Sequence, residues 1–217
     1  GTASMAEKHA GTGKVVMPDM LALGDGENGK ASNYTLEGGT HTVDITKATI
    51  TAVTRIVAKD KVYDATTDVM LDVSGAVFEG MVPGDTLTVA AWTAAFADKR
   101  AGTSKPVNIT GIVLGGDDAA NYLLIDDTAI SYADILRAPL SLVGVSVRSK
   151  EYDGTDVAEI ASFGVLSGVV PGDDVALDTM NIVARFDTPE PGVGKPVIIT
   201  GIALKGVDAG NYKIQPT

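Results

Sequence analysis

The residues best placed to do chemistry recur in register. Tyr63-Asp64 and Tyr152-Asp153 set a phenol beside a carboxylate twice. Such a pair could grip a polar ligand. It could also hold a turn, the aspartate accepting nearby backbone N–H groups while the tyrosine packs across an edge. A pair repeated in each copy of a unit usually serves the fold, which favours the structural role. Asn33-Tyr34, Asn121-Tyr122 and Asn211-Tyr212 recur likewise. The asparagine is expected in the left-handed region after an acidic, glycine-containing loop, with the tyrosine opening a returning strand. Lys14, Lys105 and Lys195 also recur. An isopeptide cross-link to an asparagine or aspartate is one reading, and a salt-bridged or snorkelling lysine at a strand end is the favoured one.

Other chemistries find little support. The acidic loops around Asp85, Asp117-Asp118 and Asp173-Asp174 carry oxygens of the kind calcium prefers, but no D-x-D-x-D-G pattern with a distal glutamate accompanies them. Solvated acidic turns are the expectation, and no cofactor is implied, with calcium the one metal to test. His9 and His41 are the only histidines, and no repeated histidine supports a triad. No Walker loop, dinucleotide fingerprint or H-E-x-x-H helix occurs, and the scattered carboxylates suggest no acid–base pair. The expectation is a protein that is not an enzyme, with no catalytic, cofactor-binding or metal-ligating residues assigned.

Composition narrows the partners. The 217 residues carry 17 basic and 28 acidic side chains, a formal charge of −11. A nucleic-acid duplex or an anionic lipid surface would repel such a chain. No apolar run approaches the ~20 residues of a spanning helix, so membrane insertion by this segment is not expected. Cysteine is absent, which removes disulfides and thiolate chemistry. That absence suits either a reduced cytosol or a bacterial surface protein. Gly1-Thr2-Ala3-Ser4-Met5 reads as a cloning remnant, with any export signal lying elsewhere.

The elements that must position these residues are repeats. Ala101–Tyr122 and Pro191–Tyr212 align without a gap at an offset of 90, with 14 identities in 22 positions. Upstream, Lys61-Val62-Tyr63-Asp64-Ala65-Thr66 matches Lys150-Glu151-Tyr152-Asp153-Gly154-Thr155, and Val82-Pro83-Gly84-Asp85 matches Val170-Pro171-Gly172-Asp173. A partial copy opens the chain with Ala10-Gly11-Thr12-Gly13-Lys14 and Asn33-Tyr34. The expected organisation is a remnant plus the C-terminal half of a repeat over 1–47, a complete repeat over 48–137, and a second repeat over 138–217 that lacks its last strand.

Val, Ile and Thr make up 61 residues and Gly another 25, a bias towards strands and turns. Alternation is clear over Thr49–Val53 and Leu142–Val147, and strand-like runs recur about every 10 residues, the spacing of a β-sandwich. Between Ile130 and Val147 no Gly/Ser-rich linker intervenes, so one module should run almost directly into the next. The expected fold class is all-β, with tandem immunoglobulin-like β-sandwich repeats in an extended rod. Half a sandwich leaves an apolar face and an open edge. Val15, Val16, Leu21, Leu23, Leu36, Val43 and Ile45 are therefore expected to be buried.

The ordered motifs K-x-Y-D-G/A-T, V-P-G-D and G-x-x-K-P-V-x-I-T-G-I-x-L-x-G-x-D-A-x-N-Y resemble the YDG repeat of bacterial surface proteins, a relative of the mostly bacterial immunoglobulin-like (MBG) repeats. Phe96-Ala97-Asp98-Lys99-Arg100-Ala101-Gly102 resembles the central F-A-D-K-x-x-G of that family. Ala65 stands where the family has glycine, and Thr188 replaces the usual Asp-Lys. The resemblance implies a large secreted adhesin of the filamentous-haemagglutinin type, at the bacterial cell surface, with roles in adhesion or biofilm. The repeats would form a stalk or an adhesive array, with neighbouring repeats and a host receptor, matrix or polysaccharide as partners. The alternative is a non-catalytic binding module, for carbohydrate or protein, appended to a secreted enzyme.

Overall fold

The computed structural model describes residues 3–18, 23–34 and 39–215. The fold is all-β. Among these residues the only helical turns are single 3-10 turns at Ala31–Asn33, Ala119–Asn121 and Ala209–Asn211. No described helix is long and apolar enough to cross a membrane.

The chain divides into two compact units, each assembled from separate stretches of sequence. The first comprises Gly1–Val57, Asp72–Thr93 and Ile109–Ala129; the second comprises Ala58–Leu71, Ala94–Asn108 and Ile130–Thr217.

In the first unit, Gly11–Pro18 is the middle strand of an antiparallel sheet, flanked by Ala3–Met5 and His41–Ile45. Ala3–Met5 runs antiparallel to it, with Met5 opposite Val16. A bulge between Gly11 and Lys14 breaks the register on the other side. There Gly13 takes a positive φ and donates its N–H to Asp44 Oδ1 at 2.9 Å. Farther along, Ala48–Ile50 pairs in parallel with Tyr122–Leu124, and Ala52–Thr54 pairs antiparallel with Val77–Glu79. Ile50, Val53, Phe78, Ile109, Ile112 and Tyr122 are buried at the core of this unit. Each such branched side chain contributes roughly 1.5–3 kcal/mol by leaving water.

In the second unit the same arrangement recurs one copy later. Ala138–Val147 pairs in parallel with Tyr212–Ile214 and antiparallel with Ile160–Ser167. The parallel pairing ends alike in both copies, with Ile125 N–H on the Ile50 carbonyl and Gln215 N–H on the Leu140 carbonyl. Ala129–Leu136 lies between Gly102–Gly115 and the short strand Lys61–Val62, and its pairing with the latter is parallel. Tyr63, Phe96, Val107, Ile135, Leu140 and Tyr212 are buried here. Arg137 alone separates Ala129–Leu136 from Ala138–Val147, as the missing linker implies.

The burial expected of the opening segment is not met throughout. Val15, Leu23 and Val43 are exposed, while Val16 and Ile45 are half-buried. Alternation along a strand assigns residues to two faces; Val15 and Val43 fall on opposite faces of the sheet, since Val15 is paired with Thr42 and Val43 with Lys14. Leu21 and Leu36 lie outside the described residues.

Candidate functional site

The motif residues build two constructions, a turn clasp and a corner. The clasp is the K-x-Y-D-x-T segment. Asp64 Oδ1 accepts the Thr66 N–H at 2.9 Å and the Thr66 hydroxyl at 2.8 Å, and Lys61 Nζ lies 2.7 Å away. Lys61 also donates to the Thr66 and Asp68 carbonyls. In the second copy Asp153 Oδ1 accepts the Thr155 N–H and hydroxyl, both at 2.9 Å, with Lys150 Nζ at 2.8 Å. The hydrogen bond from Lys150, with those from Thr155, holds the Asp153 carboxyl down at about 2. Burial pushes the Asp64 carboxyl up, but Lys61 and Thr66 outweigh it and the net direction is down. Ala65 adopts φ 64°, close to the 73° of Gly154, so the alanine keeps the family's turn.

The corner is formed by the Pro-Gly-Asp turn and the Asn-Tyr pair. Tyr212 hydroxyl donates to Asp173 Oδ2 and accepts the Val170 N–H at 3.0 Å. Tyr63, from the preceding copy, donates to the same Asp173 Oδ2 at 2.9 Å. The two rings meet edge to face, 5.4 Å between centroids at 76°, an arrangement favoured by the ring quadrupoles. Beside them Asn211, also buried, accepts the Ala101 N–H through Oδ1 at 3.0 Å. Burial first, and then the bond to Asp173, pushes the Tyr212 phenol up to about 12; Tyr63 is raised for the same reasons.

The first unit holds an equivalent corner. Tyr122 hydroxyl donates to Asp85 Oδ2 at 2.7 Å and accepts the Val82 N–H at 3.0 Å, while Asn121 Oδ1 accepts the Ala10 N–H at 3.0 Å. Lys8 takes the second-partner role that Tyr63 plays for Asp173, with Nζ 2.9 Å from Asp85 Oδ1 and 3.4 Å from Asp118 Oδ1. Its hydrogen bond, followed by that of Tyr122, lowers the Asp85 carboxyl.

In each corner the acidic loop packs backbone against backbone. Gly116 and Gly206 have φ of 95° and 109°, and a Cβ at either would lie 2.5 Å from the Thr86 carbonyl oxygen or 2.2 Å from that of Asp174. Asp118 Oδ2 accepts the Thr86 N–H, and Asp208 Oδ2 accepts the Asp174 N–H. These carboxylates therefore hold loops together. Among the described residues no group of three or more His, Asp or Glu is arranged to hold a metal.

The recurring lysines are ion-paired. Lys105 Nζ lies 2.7 Å from Asp98 Oδ1, and Lys14 pairs with Glu7. Lys195 donates to Thr188 Oγ1 at 2.6 Å and to the Glu190 carbonyl at 2.8 Å, with Asp187 at 3.3 Å. Thr188 thus supplies the oxygen that Asp98 supplies one copy earlier. The asparagines differ from expectation: Asn33, Asn121 and Asn211 each end a 3-10 turn, and none has a positive φ. The carboxamide has a hydrogen-bond partner elsewhere in Asn121 and Asn211, so it has no need of a strained backbone. Tyr122 and Tyr212 each open a strand as expected, whereas Tyr34 belongs to no strand and is exposed.

Sequence reasoning passed over the partners of Tyr63 and of the asparagines. The available signal was that Tyr, Asp, Asn and the Ala-Gly segment recur together, although within one copy no short spacing links them.

These features define a tandem all-β repeat protein whose recurrent residues hold turns and fasten one copy to the next. A YDG domain matches residues 45–130 and again residues 136–217, and the chain belongs to the YDG domain family. No curated protein and no solved structure matches the chain.

Proposed function

We propose that this chain is a repeat segment of a secreted bacterial cell-surface adhesin, in which immunoglobulin-like sandwich repeats form an extended stalk or adhesive array outside the cell. The observation that carries this reading is the recurrent corner. Ala10 N–H reaches Asn121 and Ala101 N–H reaches Asn211, across 111 and 110 positions. A bond of that span, made twice, ties each Ala-Gly segment to the Asn-Tyr pair of the following copy. Copies fastened by part-buried hydrogen bonds and joined through one residue at Arg137 suit a stiff spacer better than beads on a flexible linker. The motif residues are engaged in clasps and corners, which supports spacing or adhesion over turnover.

Antibodies against the recombinant chain provide the test. They should label intact cells of the source bacterium and reduce their attachment to a surface or matrix. Labelling confined to lysed cells would overturn the surface reading; labelling without an effect on attachment would leave the stalk and remove the adhesive array.

A further inference from the structure

We propose that the cleft between residues 147–152 and 188–197 is a slot for an added β-strand with the chemistry of Ala129–Leu136. The cleft, of about 320 Å³, has Val147–Tyr152 along one wall and Thr188–Gly192, Gly194, Lys195 and Val197 along the other. These walls have counterparts one copy earlier, in residues 58–63 and 98–107. There the strand Ala129–Leu136 fills the space between Gly102–Gly115 and Lys61–Val62. In the later copy Lys150 and Glu151 belong to no strand, and neither do residues 187–196.

The filled slot shows what an occupant must carry. Tyr63 N–H donates to the Leu136 carbonyl at 2.8 Å, and Ala58 N–H donates to Ser131 Oγ at 3.0 Å. Ala133 and Ile135 are buried while Ile130, Tyr132 and Leu136 on the alternate positions are exposed, so the inward face asks for small and branched residues. Asp134 is the register pin. Its Oδ1 accepts the Ser104 N–H at 2.7 Å, and its own N–H donates to Asp60 Oδ1 at 2.7 Å.

The same pin recurs where Gly13 N–H meets Asp44 Oδ1. Gly13 and Ser104 both have positive φ, 63° and 49°, and so does Gly194, at 65°, in the wall of the cleft. Gly194 thus shares the positive-φ turn from which the other two donate to an aspartate, and an incoming strand would supply that acceptor. Such strand addition satisfies a bare edge with main-chain hydrogen bonds and reads alternate side chains for specificity. The inference rests on the copy-to-copy reading of the fold and is independent of secretion or adhesion.

The test extends the full chain. Thr217 corresponds to Asp127 at the offset of 90, so Thr-Ala-Ile-Ser-Tyr-Ala-Asp-Ile-Leu-Arg, the sequence of residues 128–137, is appended directly after it. Amide hydrogen exchange is then compared over 147–152 and 188–197. The appended strand should slow exchange at both walls at least tenfold, with the exchange of 58–63 unchanged. Replacing its aspartate by alanine should return about tenfold of that protection, the size of one hydrogen bond to a charged group. Equal exchange with and without the appended strand would overturn the proposal, as would protection that a scrambled appendage reproduces. Neither result would touch the adhesin reading, which cell labelling decides.

Discussion

Tyr63 and Asp173 are 110 positions apart and meet through a hydrogen bond of 2.9 Å. The acceptor oxygen also serves Tyr212, so one carboxylate fastens a tyrosine from each of two copies. A buried hydroxyl without an acceptor costs about 1–3 kcal/mol. Replacing Asp173 by alanine should therefore destabilise the chain by about 2–4 kcal/mol, and Tyr63→Phe by about 1 kcal/mol. Urea unfolding of both variants and of the pair measures this, and the double variant should fall short of the sum because both changes break one network.

The tyrosines also set an alkaline limit. Tyr212 is raised to about 12 from an ordinary value of 10, so its neutral form is favoured in the folded state. The resulting stability is complete below pH 10 and is lost as pH rises towards 12. The melting temperature should fall steeply in that window, and Tyr212→Phe should flatten the decline while lowering the starting stability.

The clasps set an acid limit with the opposite sign. Asp153 is depressed to about 2 from 3.8, chiefly by Lys150. Its contribution is present above pH 3.8 and disappears as pH falls towards 2. Carboxyl chemical shifts followed by NMR should show Asp153 titrating well below a free aspartate. Lys150→Met should raise that midpoint.

Ala65 and Gly154 occupy equivalent turns with φ of 64° and 73°. An alanine held there carries about 1–2 kcal/mol of left-handed strain, against the ~0.5–1 kcal/mol that glycine loses in entropy. Ala65→Gly should raise stability by roughly 0.5–1 kcal/mol, and Gly154→Ala should lower it by a similar amount. Thermal unfolding of the two variants should move in opposite directions.

Asn211 accepts the Ala101 N–H at 3.0 Å. Asn211→Ala leaves that N–H without its acceptor and should cost about 1–3 kcal/mol, measured by denaturant unfolding. Pro191 stands at the position of Ala10 and Ala101 and has no N–H, so a joint made through this segment would lack the bond.

The all-β class, the register of the copies and the turn chemistry are legible in the residues alone. Those properties are local: a Pro-Gly-Asp tripeptide sets its own dihedrals, and Asp64 and Asp153 find their N–H partners two residues on. Matching motifs at a constant offset then show that each turn recurs. What the recurrent side chains touch follows from the folding of distant strands onto one another. Tyr63 could have packed on its own copy as far as any local rule is concerned, and the asparagines could have taken a left-handed turn. Which partner wins depends on how strands far apart in the chain pair, and a shift of one residue would turn every side chain to the other face. The exposed Val15 and Val43 belong to the same lesson. Alternation announces a strand with two faces, but whether anything covers a face is settled by what packs there, which no local spacing encodes.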